Sequence, residues 1–412
     1  MKVLIVNMSD ISGGAARAAY RLHRALLDEG VDSKMLVQDK KSDDFTVIDL
    51  AKYRWQKAFN KVRPIIDQLP VKLYKKRTKT LFSLSWFDFN CVIEAIEEIK
   101  PDIVHLHWIC GGMIRIEDLA KIQKPLVWSL HDNWAFTGGC HIKWECEKYT
   151  DKCGACPRLG SDTENDLSRW VWKRKQKTFI KMNNLIIIGL SKWVMNASQE
   201  SSLLKDKKHF NLPNPIDTNI FKPFDKVKSR ELWNLPKNKK LVLFGAMSAT
   251  SDINKGFKEL SEALNKLNVE NIEFVVFGSS KSQNPPKLKF KTHYVGHLHD
   301  DVSLVTLYSA VDIIVVPSLQ ENLSNVIIES LSCATPAVAF HIGGNSDLIE
   351  HKTNGYLSKP FDTTDLANGM EWILNNKNYD ELCKNAREKV LREFDSKVVV
   401  RKYIELYEDI LA

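Results

Sequence analysis

Short apolar runs alternate with helix-like stretches along the whole chain, and the alternation occurs twice. The first half opens with KVLIVNM (2–8), a flat Val- and Ile-rich run that reads as a buried strand. SGGAARAAYRLHRALLDEG (12–30) follows as a turn and a helix closed by Gly30. SKMLVQ (33–38), DIVHLHW (102–108), PLVWSLH (125–131) and LIIIGL (185–190) read as further strands. The second half repeats the pattern with KLVLFGA (240–246), IEFVVFG (272–278), DIIVVPS (312–318) and PAVAFH (336–341). Helices are expected at 255–267, 300–310, 323–333 and 363–375, then a charged helical tail from about 380 to 411. Strands that alternate with helices and are apolar throughout form parallel sheets covered on both faces.

LPNPIDTNIFKP (212–223), with three prolines, interrupts the pattern and reads as a hinge. The 412 residues suffice for two or three domains. The expected fold class is therefore α/β, with two facing doubly wound, Rossmann-like domains and a cleft between them. The first covers 1–213 and includes a basic segment at 52–80 and a cysteine-rich loop at 138–160. The hinge proper is 214–223, the second domain 224–390, and a final helix at 391–412 is expected to pack back toward the first. Ligands of such sheets bind outside the carboxyl ends of the strands, which makes the cleft the expected site.

The chemistry is densest in PSLQENLSNVIIESLSCATPAVAFHIGG (317–344). A strand ends near Pro317, Glu321 lies in the loop, and Ser324 is placed to cap a helix whose first N–H groups, at 325–327, favour a diphosphate. Glu329 follows Glu321 by eight residues, so it falls within that helix, where a carboxylate suits a pair of ribose hydroxyls. This order of strand, Glu, helix, Glu, Thr-Pro, strand and Gly-Gly resembles the Glu-x7-Glu signature of retaining glycosyltransferase family 4, in its bacterial polysaccharide-biosynthesis branch, and the resemblance implies the GT-B fold.

On that resemblance the donor is a nucleotide-diphosphate sugar, of UDP or GDP type, held by Asn322, Leu323, Ser324, Asn325 and Glu329, while Glu321 reaches a sugar hydroxyl. SGGAARAA (12–19) is similar to the family's glycine-rich loop, so Gly13 and Gly14 bring backbone close to the donor and Arg17 faces the phosphates. SLHDNWAFTGG (129–139) is similar to the segment holding the family's histidine near the reacting carbon, which is His131 here. His105 and His107, two apart on a neighbouring strand, share a face. His107 is expected on the cleft wall. LFGAMSATSDINKGFKEL (243–260) matches the family's Gly-Arg … Lys-Gly segment in part: Lys255 fits the lysine that neutralises the leaving diphosphate, but Ala246 stands where the family has arginine. Arg17, Lys192 and Lys143 are the candidates to replace it. His131, Lys255 and Glu321 thus form the expected catalytic set. The implied reaction is sugar transfer with retention, with front-face attack and the leaving phosphate oxygen taking the acceptor's proton. No cofactor is required.

GGCHIKWECEKYTDKCGACPRLG (138–160) follows His131 directly, on the side where acceptors bind in this fold. Its Cys140, Cys146, Cys153 and Cys156 have Cys-x5-Cys-x6-Cys-x2-Cys spacing, and the last pair has the interval of a zinc knuckle. A structural zinc clip, disulfides, and thiols without a role all fit this pattern.

Net charge is +8, and residues 52–80 account for it: ten cations stand there against one acid, Asp67. Trp55, Phe59, Val62, Ile65, Ile66 and Leu69 interleave with them. Such a segment fits an anionic membrane surface, or a solvated helix pair. Nucleic acid is not expected as a partner, since no groove-binding motif accompanies the charge. The opening MKVLIVNMSD lacks a signal-peptide pattern and no apolar run is long enough to span a bilayer. A cytoplasmic enzyme, peripheral on the inner membrane face, is therefore expected. Its acceptor would be a glycan or polyprenyl-diphosphate-linked sugar, used for O-antigen, capsule or exopolysaccharide. A same-fold epimerase or phosphorylase, and a non-catalytic nucleotide-sugar-binding protein, are the alternatives.

Overall fold

The computed structural model describes residues 1–87, 91–245, 252–278, 289–298 and 300–412. They fall into two compact units, Met1–Asn214 with Val399–Ala412, and Pro215–Val398.

In the first unit the chain runs β1 (Lys2–Ser9), α1 (Gly14–Asp28), β2 (Asp32–Asp39), β3 (Val47–Asp49), α2 (Arg54–Gln68), α3 (Cys91–Ile99), β4 (Ile103–Leu106) and β5 (Leu126–Leu130). It continues through α4 (Leu167–Phe179), β6 (Leu185–Gly189), α5 (Lys192–Glu200) and β7 (Lys208–Asn211). The sheet has the order β3-β2-β1-β4-β5-β6-β7. The paired strands are parallel, with Val3 opposite Ser33 on one side and Ile103 on the other. Strand order reverses between β1 and β4, so their carboxyl ends flank a crevice of the kind that receives ligands.

The second unit runs α6 (Lys226–Leu232), β8 (Lys240–Gly245), α7 (Phe257–Lys266), β9 (Ile272–Phe277), β10 (Thr292–Gly296), α8 (Asp301–Ala310) and β11 (Ile313–Val316). Then come α9 (Asn325–Ser332), β12 (Ala337–Phe340), α10 (Asn345–Leu348), β13 (Gly355–Ser358), α11 (Thr363–Leu374) and α12 (Tyr379–Glu393). Its parallel sheet, β10-β9-β8-β11-β12-β13, reverses between β8 and β11. The charged tail is two helices, not one stretch: α12 ends before Phe394, and α13 (Ser396–Leu411) follows.

Both faces of the first sheet are covered, which is why its central strands are apolar throughout. On one face Leu4, Val6, Leu106 and Trp128 pack with Phe136 and Phe179. On the other Val3, Ile5 and Ile103 pack with Leu22 and Leu26 of α1 and with Val399, Tyr403 and Tyr407 of α13. Of each apolar side chain so buried, roughly 1.5–3 kcal/mol of transfer free energy is recovered.

The basic segment has a defined sidedness. α2 turns polar residues inward: Asn60, Arg63 and Asp67 are its buried residues. The Asn60 amide donates to the Gln38 carbonyl at 2.8 Å, Arg63 donates to the Met113 carbonyl at 3.3 Å, and Asp67 accepts from the Leu84 N–H at 3.2 Å. Arg63 and Asp67 therefore do not belong to the surface charge, and burial pushes the Asp67 carboxyl up to about 6. Trp55, Val62, Ile65 and Leu69 point outward, 43–68 % exposed, among exposed Arg54, Lys57 and Lys61.

Candidate active site

In the second unit the candidate residues gather where β8 and β11 end. α9 starts at a capped terminus: the Ser324 hydroxyl accepts from the Ile327 N–H at 3.4 Å. Leu323 is buried, and Asn322 and Asn325 are half-buried on either side of Leu323 and Ser324. Glu321 pairs with the Lys255 ammonium at 3.5 Å and accepts from the Ser318 hydroxyl at 3.2 Å through the same oxygen.

Lys255 reaches Glu321 because two connections touch. Gly256 has φ +69°, and a Cβ there would stand 1.8 Å from the Pro317 carbonyl oxygen. Only glycine allows that approach. Asn254 bonds to the facing loop twice, through its amide to the Gln320 carbonyl and its carbonyl to the Leu319 N–H, both at 2.9 Å. Gly343 closes the other side; its Cβ would meet the Glu321 carbonyl oxygen at 1.8 Å. Lys255, Ser318, Glu321 and Ser324 line one cavity with Gly245 and Pro317. Glu329 does not line it. It is 3 % exposed and accepts a 2.8 Å hydrogen bond from the Tyr308 hydroxyl. Ala246 lies outside the described residues.

In the first unit Gly13 caps α1, and the Arg17 N–H donates to the Gly13 carbonyl at 3.0 Å. Gly14 is exposed and Arg17 half-buried. Asp10, just before this turn, accepts from the Lys41 and Ser42 N–H groups at 2.7–3.1 Å. Burial would raise its carboxyl, but these donors, Ser42 first, hold it below the ordinary value.

His131 directly follows β5, and His107 directly follows β4. Their Nε2 and Nδ1 atoms share a 2.8 Å hydrogen bond. His107 is 3 % exposed, so it stands behind His131. His105 lies beside it, rings 4.4 Å apart, bonded to the Tyr407 hydroxyl at 2.6 Å and the Ser129 hydroxyl at 2.8 Å. Burial lowers all three imidazoles: His131 to about 4, His105 to about 3, and His107 well below the ordinary value. His131 is thus neutral at physiological pH, and a proton on one ring nitrogen lets it offer one donor or one acceptor.

Asp132, next to His131, fixes the turn. It accepts from His141 at 2.6 Å and from the Trp108 indole and the Trp134 N–H, both at 2.8 Å. Sequence reasoning missed Asp132, Ser318, Asn254 and Tyr308. The first three are immediate neighbours of residues it singled out; Tyr308 gives no local signal. Of the candidates for the second phosphate cation, Lys143 is removed: it is 6 % exposed and paired with Glu147 at 2.9 Å within the cysteine loop. Lys192 opens α5, capped by Ser191, and is exposed.

All four loop cysteines are free thiols; Cys140, Cys153 and Cys156 are buried and Cys146 is half-buried. Among the described residues, no group of three or more His, Cys, Asp or Glu side chains is arranged to hold a metal ion, and no helix is long and apolar enough to cross a membrane.

Comparison with known proteins gives a consistent result. An uncharacterized glycosyltransferase of Methanocaldococcus jannaschii is 22 % identical over 76 % of this chain and 84 % of its own length. UDP-Gal:alpha-D-GlcNAc-diphosphoundecaprenol alpha-1,3-galactosyltransferase of Escherichia coli is 26 % identical over 34 % of this chain and 37 % of its own, so little more than a third of that relative is matched. Anabaena HepE, solved in complex with UDP-glucose, superposes with a TM-score of 0.65 at 16 % identity, over 99 % of this chain and all of that one. Two parallel doubly wound sheets and such neighbours make this the GT-B fold. The family model for glycosyl transferases group 1 matches residues 238–376. The model for glycosyltransferase family 4 matches residues 12–219, just over half of the sequence, and the chain belongs to that family.

Proposed function

We propose that this glycosyltransferase moves a sugar, with retention at the anomeric carbon, from a UDP-type donor to a polyprenyl-diphosphate-linked acceptor in surface-polysaccharide synthesis. The observation that carries the reading is the cavity where Lys255, Ser318, Glu321 and the capped start of α9 converge. A diphosphate there would be held by helix N–H groups and by a lysine already fixed in place. Lys255 would exchange its Glu321 partner for the leaving phosphate, and Glu321, released, would accept from a sugar hydroxyl. Glu329 would hold the ribose. His131, neutral and braced by His107, and with it Gly13, Gly14 and Arg17, are the first unit's own candidates for contact with the donor. The phosphate oxygen that leaves would take the acceptor's proton, so positioning and charge stabilisation supply the rate.

The uridine form is favoured by the relatives' names, UDP-Gal in one and UDP-glucose in the other. The lipid-linked acceptor is favoured by α2, which turns Trp55, Val62 and Ile65 outward among lysines, as a helix lying on an anionic membrane surface would.

Incubation with a panel of UDP- and GDP-sugars and a synthetic polyprenyl-diphosphate sugar tests this. The expected product carries the donor's anomeric configuration by NMR. An inverted linkage overturns the retaining assignment. Tight nucleotide binding with no sugar consumed, for any donor, supports a binding protein instead.

A further inference from the structure

The 138–160 loop is held in place by little regular structure, a single short turn of helix at Lys148–Thr150. Yet it is rigidly tied at its start. The Lys175 ammonium, fully buried, donates to the Trp134 carbonyl and at 3.1 Å to the Thr137 carbonyl, and Ser83 N–H bonds the Gly139 carbonyl at 2.9 Å. Beyond that point the four cysteines face one another across a small cavity, also lined by Lys143, Lys148 and Arg158.

Two observations distinguish this cavity from a chance grouping of thiols. A backbone donor is aimed at one of the sulfurs: Gly138 N–H donates to Cys153 Sγ at 3.1 Å. An N–H···S bond of this kind is the outer-shell contact that a metal-bound sulfur accepts. Second, two nitrogens of the Arg158 guanidinium have no acceptor. Its guanidinium stacks on Trp144 at 4.0 Å, and its Nε and Nη1 are buried without a hydrogen-bond partner. Buried donors left so are unfavourable unless an anion meets them. Neutral thiols do not. Four thiolates around a divalent cation do, because the assembly carries two negative charges.

We propose that Cys140, Cys146, Cys153 and Cys156 bind one zinc ion as a tetrathiolate, with Arg158 as its counter-charge. Zinc suits the set: it prefers four soft ligands in a tetrahedron and has no redox chemistry to damage thiolates. Binding releases the thiol protons to solvent. The sulfurs line the cavity without yet closing on a common centre, so side-chain rotation must bring each within about 2.3 Å of the metal.

The test is direct and independent of sugar transfer. The untagged full chain, purified without added metal, should contain about one zinc per chain, and X-ray absorption should show four sulfur neighbours. The cysteines should react with a thiol reagent only after chelation. Cys153→Ser with Cys156→Ser should abolish the metal. Arg158→Met should weaken zinc at least about tenfold in a chelator competition, the usual effect of removing an outer partner. A metal-free protein that takes up no zinc on titration overturns the site. So does zinc bound through nitrogen or oxygen ligands, or a disulfide found by mass spectrometry among these four. Unchanged zinc affinity in Arg158→Met removes the counter-charge.

Discussion

Glu321 and Glu329 are eight residues apart, yet their surroundings differ. Glu321 faces the cavity beside Lys255, while Glu329 is buried against Tyr308. Glu329→Ala should weaken UDP binding by about 1.5–3 kcal/mol, the range for hydrogen bonds to a charged group. It should also lower stability by about 1–3 kcal/mol, since the Tyr308 hydroxyl is left buried without its acceptor. Glu321→Ala should cut transfer and leave nucleotide affinity nearly intact. Lys255→Ala should lower turnover at least about 10²-fold, as for one lost preorganised charge stabiliser. Calorimetry with UDP, thermal melts and initial rates separate the three; unchanged UDP binding in Glu329→Ala removes the ribose assignment. The two glutamates were legible from spacing and from Ser324 as a cap. The Tyr308 bond was not, because it joins side chains 21 residues apart across two helices. His107 behind His131 was hidden for a similar reason: burial, not sequence neighbours, decides which of two adjacent strand-end imidazoles is the outer one.

α2 was legible as a charged, apolar-interleaved segment, but which of its sides turns inward was not. Its charge excess and apolar interleaving were plain from sequence. Periodicity places Trp55, Val62, Ile65 and Leu69 on a stripe that would normally face a core, yet the inward stripe is Asn60, Arg63 and Asp67. Each of those finds a partner at Gln38, Met113 or Leu84, which offsets part of the cost of polar burial, and the apolar side is left outside. Lys57 and Lys52 pair with Asp49 and Glu98, and an exposed pair of that kind contributes little. The segment should bind vesicles rich in anionic lipid at low salt and detach as salt rises, because attraction of about 1 kcal/mol per cation is screened over a Debye length. Trp55→Ser with Ile65→Ser should weaken sedimentation without altering the charge. Equal binding to neutral and anionic vesicles overturns the electrostatic part of the reading. Strands follow a related logic. The nine strands legible from sequence include the central ones of both sheets, buried on both faces. The four that were not, β3, β7, β10 and β13, are the edges of the two sheets. β7 and β10 are half-exposed or exposed along their length, so they need no continuous apolar run.

Across the chain as a unit, the buried imidazoles set an acid limit. His23 and His131 are lowered to about 4 and His105 to about 3 by burial, and all belong to the first unit. Unfolded, each protonates near pH 6.5. Between those values the unfolded chain holds more protons, so stability falls as pH falls from about 6.5 toward 4, by about 1.4 kcal/mol per pH unit for each proton taken up. Asp67, raised to about 6, opposes this below pH 6, but one carboxyl is outnumbered. Urea unfolding at pH 5 should therefore show the first unit melting at lower denaturant than at pH 7.5, with the second unit shifted less. Identical midpoints at both values would mean the histidines reach solvent in the folded state.

The first unit is not a contiguous stretch of chain: it needs Val399–Ala412, and Tyr407 bonds the His105 ring at 2.6 Å. On a ribosome, which delivers residues in order, the second unit is complete before the first can be. The half that emerges earliest must wait, its α13-facing side holding Val3, Ile5 and Ile103 uncovered, until translation reaches the last helix. Synthesis itself thus imposes an order of assembly opposite to the order of the sequence.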